Sequence, residues 1–251
     1  MKAAIVCLLG ALAACSSSSA KPAMNVTATD ATNDATTDAF PRVFKALRPS
    51  VVLFTMLAPS DDPKRKGVYD DAYGSGFVVE SGSWGSRFLT AEHVIDGARR
   101  LRVTIDNHRT VAARVVASDV QADLAIVEAD ERNLPSVHLG SSHSLDQGIQ
   151  IGVAGYPIPD AFEDEGLGVA TSVFEGRLSS IRNDALELDI PVIPGESGGP
   201  VFDAHTGAVI GIAESRFDEE HAIGFAIPIE DAERFLAKHA RLAPAPKPTA
   251  G

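Results

Sequence analysis

The run GESGG at residues 195 to 199, within PVIPGESGGPVFD, sets a serine between glycines. Ser197 is a candidate nucleophile, because flanking glycines free the backbone to expose its hydroxyl and to aim N–H groups at a developing oxyanion. Two architectures use such a serine. One is the G-x-S-x-G elbow between strand and helix, whose acid and histidine follow it in the chain. In the other, a histidine and an aspartate precede the serine loop. The bland alternative is a glycine-rich turn with an incidental serine.

The elbow fails on topology. His205, His221 and His239 follow Ser197 and offer a base, but too little chain remains to build the strand–helix units that would position one. The other order is present upstream. RFLTAEHVIDGA places His93 just after an apolar run, and ASDVQADLAIVEAD places Asp123 at the start of another. A serine hydroxyl needs a neutral imidazole within hydrogen-bond reach, and that imidazole needs a carboxylate on its other nitrogen. Among the acids near His93, Asp119 sits in a turn and Asp96 stands beside Gly97, whereas Asp123 opens the DLAIV strand.

Strands must position these groups. SVVLFTML, GSGFVVES, RFLTA, LRVTI, VAARVVAS, DLAIVEA, GIQIGVAG, GVATSVFEGRLSSI, ALELDIPV, PVFD, AVIGIAES and IGFAIPI are short apolar or alternating runs separated by Gly, Pro, Asn and Asp. Runs of this kind and spacing predict an all-β protein, barrels or a sandwich. Helical signals are few. PRVFKALRP reads as a short amphipathic turn stopped by Pro49, and EDAERFLAKHARLA as a closing helix over 230–243. Pro135, Gly140 and Gly148 mark a weak divide between two halves.

With these landmarks in order, the chain resembles the trypsin-like serine proteases, more closely their bacterial HtrA/Deg-like branch. The match runs from ALRPSVVLF through GSGFVV, LTAEHVI, SDVQADLAIVEAD, LPSVHLGSSHSLDQGIQIGVAGYP and PGESGGPVFD to GAVIGI and IGFAIPI. The resemblance implies two six-stranded antiparallel β-barrels with a short C-terminal helix. The N-terminal barrel, 40–140, would carry His93 and Asp123, and the C-terminal barrel, 141–230, would carry Ser197. It implies His93 as general base, Asp123 as its orienting carboxylate and Ser197 as nucleophile, with the N–H groups of Gly195 and Ser197 as oxyanion hole. Gly198 and Gly199 would pack the loop tightly, and Pro200 would leave it extended. No cofactor or metal is implied.

Two residues depart from the family pattern. Glu92 stands before His93, where relatives carry a small or amide residue, and Glu196 stands before Ser197, where they carry Asn or Asp. On a strand, neighbours face opposite sides, so Glu92 is expected to point away from the histidine. Asp189 matches a position where HtrA-like proteases also have Asp, while the place of trypsin's pocket-base acid holds Pro191. Ile190, Val192 and Ile193 therefore predict a small or medium aliphatic P1 residue.

The rest of the chain concerns location and partners. MKAAIVCLLGALAAC reads as a secretory signal, too short to span a bilayer, and its end resembles a bacterial lipobox with Cys15 as the lipidated residue. Residues 1–14 are then a removed leader, and 15–39 a flexible Ser/Thr/Ala/Asp tether. After a closing helix at 231–243, residues 244–251 are a Pro-rich tail. With Cys7 in the leader and Cys15 lipidated, no disulfide is expected. The net charge of −12 argues against a nucleic-acid partner. The basic clusters at 64–66 and 99–100 read as solvated loop charges.

The stretch 60–73 reads as an exposed loop, and 157–168 as an acidic loop whose Glu163, Asp164 and Glu165 lack the alternating spacing of a calcium site. The short segment after IGFAIPI implies a protease domain without the family's PDZ modules, as monomer or trimer. The expected location is the cell envelope, anchored by lipid and facing the periplasm from the outer membrane. Two function classes remain open: an endopeptidase acting on protein or peptide substrates, or a catalytically silent binding module on the same fold. The conformation of the loop IPGES separates them.

Overall fold

The structure, a computed structural model, describes residues 39–60, 62–143, 145–214 and 223–240. The leader, the tether, Cys15 and the tail lie outside the described residues. A helix α1 (Ala39–Leu47) and a 3₁₀ turn lead into β1 (Val51–Pro59), β2 (Tyr69–Gly82), β3 (Gly85–Thr90), a helical turn α2 (Glu92–Ile95), β4 (Arg99–Ile105), β5 (Arg109–Asp119) and β6 (Leu124–Ala129). Then come β7 (Gln150–Gly155), α3 (Pro159–Asp164), β8 (Ser172–Ile181), β9 (Leu186–Leu188), β10 (Pro200–Asp203), β11 (Val209–Glu214), β12 (Gly224–Pro228) and α4 (Ile229–His239).

Among the described residues the strands close into two barrels, ordered β1-β2-β3-β6-β5-β4 and β10-β11-β12-β9-β8-β7. The pairings are antiparallel, as the resemblance implies. Register shifts at 55/57, 78/80, 115/117, 178/180 and 201/202 bend the strands, the usual device for closing so small a barrel.

Many strands read as unbroken apolar runs because both of their faces are covered. Along β1, Val52, Phe54 and Met56 fill the first barrel, while Val51 and Leu53 face a second cluster shared with the other barrel. In β6, Ala125 and Val127 point inward, and Leu124 and Ile126 point to the shared cluster. The second barrel supplies Ala154, Tyr156, Phe202, Val209, Ile212 and Ile227 to that cluster, and α4 caps it with Ala232 and Phe235. Phe40 of α1 stacks on Phe202 with centroids 5.8 Å apart. Ile151, Val153, Leu178, Leu186, Leu188 and Ile210 fill the second barrel.

Several local expectations change. Residues 69–73 belong to β2, paired from Tyr69 opposite Pro59, so the loop expected at 60–73 is shorter. The acidic stretch contains the helix α3, whose apolar content is too low to give an amphipathic signal. The closing helix ends at His239, and its expected last residues, 241–243, lie outside the described residues. Among the described residues, no helix is long and apolar enough to cross a membrane, and no acid–histidine–cysteine group is arranged to hold a metal.

Candidate active site

Asp123 occupies the tight turn between β5 and β6 with φ +50°, a left-handed conformation that aspartate tolerates better than most residues. Asp119 builds that turn, its Oδ1 accepting from the N–H groups of Gln121 at 3.1 Å and Ala122 at 3.2 Å. The turn delivers the Asp123 carboxylate to α2. Its Oδ2 lies 2.7 Å from His93 Nδ1, and its Oδ1 accepts from the His93 N–H at 2.9 Å. The Asp123 carbonyl also accepts from the Glu92 N–H at 3.1 Å. Three bonds thus fix the imidazole's orientation and leave Nδ1 as the protonated nitrogen, with Nε2 as the free acceptor.

Residues 92–95 form a helical turn, so the strand alternation expected at Glu92 does not apply. Glu92 is only 8% exposed, and burial raises its pKa, helped by the charges of Asp96 and Asp123. Burial works against the positive charge of His93. The hydrogen bond and charge of Asp123 outweigh it, with Glu214 and Glu92 adding to them, and hold the imidazole pKa above its ordinary value. Glu92 therefore takes part in the electrostatics of His93.

Ser197, 8% exposed, sits in a loop bonded on every side. Its carbonyl accepts from Ser75 N–H at 2.9 Å, and the Gly198 N–H donates to Ala213 O at 2.8 Å. The Ser75 hydroxyl, on β2 of the first barrel, donates to Gly195 O at 2.6 Å and accepts from Tyr156 N–H at 2.9 Å. Gly198 has φ +85°, and a Cβ there would lie 2.2 Å from Thr90 Oγ1 and 3.0 Å from Ala91 N, just ahead of the turn that carries His93. The serine loop and the histidine turn are therefore packed together. Among the described residues no hydrogen bond joins Ser197 Oγ to His93, a contact that commonly tightens only when substrate is bound.

The preceding turn, 193–196, is closed by Glu196 N–H donating to Ile193 O at 2.9 Å. Proline stands second and Gly195, at φ +95°, third, which is the chemistry of a type II turn. A Cβ on Gly195 would lie 2.3 Å from Tyr156 O, so only glycine fits. The Pro194 carbonyl accepts from Ile158 N–H at 2.8 Å. In a planar trans peptide the N–H points opposite to the C=O, so the Gly195 N–H faces away from Ile158. Among the described residues neither it nor the Ser197 N–H is paired with a protein acceptor.

On the neighbouring strands, Asp189 is held by β8. Its carboxylate accepts from Arg177 N–H at 2.5 Å, and its own N–H donates to Arg177 O at 3.1 Å. Val192 is buried in the second barrel, and Gly224 lies so close to Ile190 O that a Cβ would stand 2.3 Å away. Three contributors were not assigned roles from the sequence: Ser75, Ile158 and the side chain of Glu196. The only hint at Ser75 was its place in GSGFVV.

Comparison with known proteins adds the family context. Residues 74–212 match the model of the trypsin-like peptidase domain. The chain is 30% identical over 189 residues to a putative serine protease, HhoB, of Synechocystis, covering 70% of this chain and 41% of that one. It is 31% identical over 170 residues to a probable periplasmic serine endoprotease, DegP-like, of Halomonas elongata, covering 63% and 33%. The chain thus spans less than half the length of these curated relatives. A solved structure, the HtrA-type protease AlgW with tripeptide, superposes with a TM-score of 0.66 at 26% identity over 80% of this chain and 64% of that one.

Proposed function

The chain belongs to the trypsin-like peptidases, and on that premise we propose that it is a serine endopeptidase with His93, Asp123 and Ser197 as its triad. The observation that carries this reading is the Pro194–Gly195 peptide, whose carbonyl is engaged by Ile158 so that its N–H is left for a substrate oxygen. A collapsed loop, required by the silent binding-module reading, would turn that N–H the other way.

In the proposed reaction, His93 Nε2 takes the proton of Ser197 Oγ as the oxygen attacks the scissile carbonyl. Asp123 stabilises the imidazolium through Nδ1. Negative charge on the former carbonyl oxygen is met by the N–H groups of Gly195 and Ser197, each such donor accounting for about 10²–10³ in rate. His93 then protonates the leaving amine, and water, activated by the same imidazole, hydrolyses the acyl-enzyme. The pairing of Asp189 with β8 and the apolar Ile190 and Val192 support an aliphatic P1 residue. Faster cleavage of a P1-Arg peptide than of its P1-Val counterpart would overturn that preference.

A location in the cell envelope is supported by the periplasmic DegP-like relative. Lipidation at Cys15 completes the reading and is tested by metabolic labelling with a radioactive fatty acid, which Cys15→Ser should abolish. The triad is tested with a fluorophosphonate probe and intact-mass analysis. One adduct, lost in Ser197→Ala, is expected; a folded chain that takes up no probe favours the silent module.

A further inference from the structure

The turn that aims the Gly195 N–H contains a buried acid with no evident reason to be there. Glu196 is 0% exposed, the only charged residue type within 193–199. Its Oε2 accepts from Ile193 N–H at 2.8 Å, while its own N–H donates to Ile193 O at 2.9 Å. Residues 193 and 196 therefore exchange two hydrogen bonds, one main-chain and one side-chain, in the reciprocal manner of a capping box. The other oxygen, Oε1, is buried without a hydrogen-bond partner among the described residues. The backbone behind it has no room to yield, since a Cβ on Gly155 would stand 3.1 Å from Glu196 Cα.

A Pro-Gly turn accepts either orientation of its central peptide, because proline suits the second position of both type I and type II turns. The sequence of the turn alone does not fix which way the Gly195 N–H points. Two contacts do. One is Ile158, a β-branched residue held at φ 34° and ψ 54° while its N–H reaches Pro194 O, a conformation such side chains rarely adopt. The other is the pair of hydrogen bonds between Ile193 and Glu196, which holds together the two ends of the turn that carries this peptide.

We propose that Glu196 is a positioning residue of the oxyanion hole: its protonated carboxyl clamps Ile193 and keeps the Gly195 N–H aimed at substrate, and loss of the proton opens the clamp. The proposal rests on the peptidase reading and extends it to regulation of the same site. In the protonated form the unpartnered Oε1 carries the hydrogen and Oε2 remains the acceptor for Ile193. In the ionised form a full charge would sit on an oxygen with no donor, which favours withdrawal of the carboxylate toward water. Burial pushes the Glu196 pKa up to about 7, against the opposing effect of the Ile193 N–H. Both forms are thus accessible near neutrality.

The ionisable side chains on the adjoining elements are Tyr69, Asp70, Asp71, Tyr73 and Glu80 of β2, Arg87 of β3, Glu92 and His93 of α2 with Asp123 behind them, Tyr156 beyond β7, Asp160, Glu163 and Asp164 of α3, Asp203 of β10 and Glu214 of β11. Tyr73 is bonded to Asp160 at 2.7 Å and Tyr156 to Asn107 at 2.7 Å. His93 contributes its own limb to any rate profile, opposite in sign, because it must lose its proton to act as base.

The test compares the full chain with Glu196→Gln and Glu196→Ala between pH 5.5 and 9, reading peptide hydrolysis and the rate of fluorophosphonate labelling. The native chain should show a rising limb from His93 and a falling limb near pH 7. Glutamine keeps an acceptor for Ile193 and cannot ionise, so its activity relative to the native chain should rise about tenfold between pH 6 and pH 8, as expected for a group one unit past its pKa. Glu196→Ala should lower kcat about a hundredfold, as for loss of one oxyanion donor, with KM within about twofold. A native profile flat from pH 7 to 9, or an alanine variant with native kcat, overturns the proposal. A readout independent of activity uses Ser197→Ala: the Glu196 carboxyl and the Gly195 amide, followed by NMR, should titrate with one midpoint. An amide that ignores the carboxyl's titration overturns the clamp even if the chain cleaves nothing, whereas absence of cleavage with linked titration refutes the peptidase reading alone.

Discussion

Ser75→Ala removes one oxygen atom that serves two buried groups. The Ser75 hydroxyl donates to Gly195 O at 2.6 Å and accepts from Tyr156 N–H at 2.9 Å, and the residue is fully buried. Alanine leaves a carbonyl and an N–H without partners and offers too little space for a water to replace the hydroxyl. Each unpaired group costs about 1–3 kcal/mol, so the loss should be roughly 2–6 kcal/mol, with about 3 as the central expectation. For a domain of this size 1 kcal/mol shifts Tm by about 2–4 °C, which gives a drop of about 6–12 °C. Urea denaturation of the native chain, Ser75→Ala and a control at the exposed Ser118, Ser118→Ala, measures it. The control should stay within about 0.5 kcal/mol. Because the freed carbonyl is that of Gly195, kcat should fall as well, with KM less affected. A Ser75→Ala chain within 1 kcal/mol of native, with unchanged kcat, would refute the reasoning that this hydroxyl ties the oxyanion loop to the first barrel.

Further outcomes concern other residues. Asp123→Asn should lower kcat by about 10⁴, since the amide stabilises the wrong imidazole tautomer, and NMR should show the His93 pKa falling. Glu92→Gln should also lower that pKa, by less than Asp123→Asn does, and move the acid limb of the rate profile to lower pH; an unchanged limb would mean that Glu92 is electrostatically idle. At Glu230 burial disfavours the charge, but Ser142, Ser141 and His143 outweigh it and hold the pKa down to about 2. A depressed carboxylate pKa stabilises the fold above the unfolded value and loses that contribution as pH falls toward about 2. Denaturation midpoints of Glu230→Ala should therefore lie below native at pH 7 and converge with it near pH 2.

The sequence carried the order His93, Asp123, Ser197 because each stands at the edge of an apolar run, and such edges survive in a one-dimensional pattern. Asp119 illustrates the same point: its role in building the turn follows from its spacing to the strand that Asp123 opens. The geometry of Glu92 was not legible. A four-residue helical turn is too short to show a 3.6-residue period, so the apolar strand before it misleads. Ser75 and Ile158 escaped for a different reason, since their partners lie 120 and 36 positions away in the chain and no local pattern encodes them. Glu196 is the sharpest case. A carboxylate is read as solvated by default, and only the folded loop shows it enclosed.

The shared apolar cluster between the barrels has a mechanical consequence. His93 and Asp123 ride on one barrel and Ser197 on the other, like the two jaws of a caliper. A slip of a fraction of an ångström along their common face would disarm the site while both barrels kept all of their own strand pairings. Mild denaturant should therefore extinguish labelling of Ser197 before it changes the circular dichroism of the strands. The working tolerance of the proposed site is set by that seam, and the durability of the barrels is a separate matter.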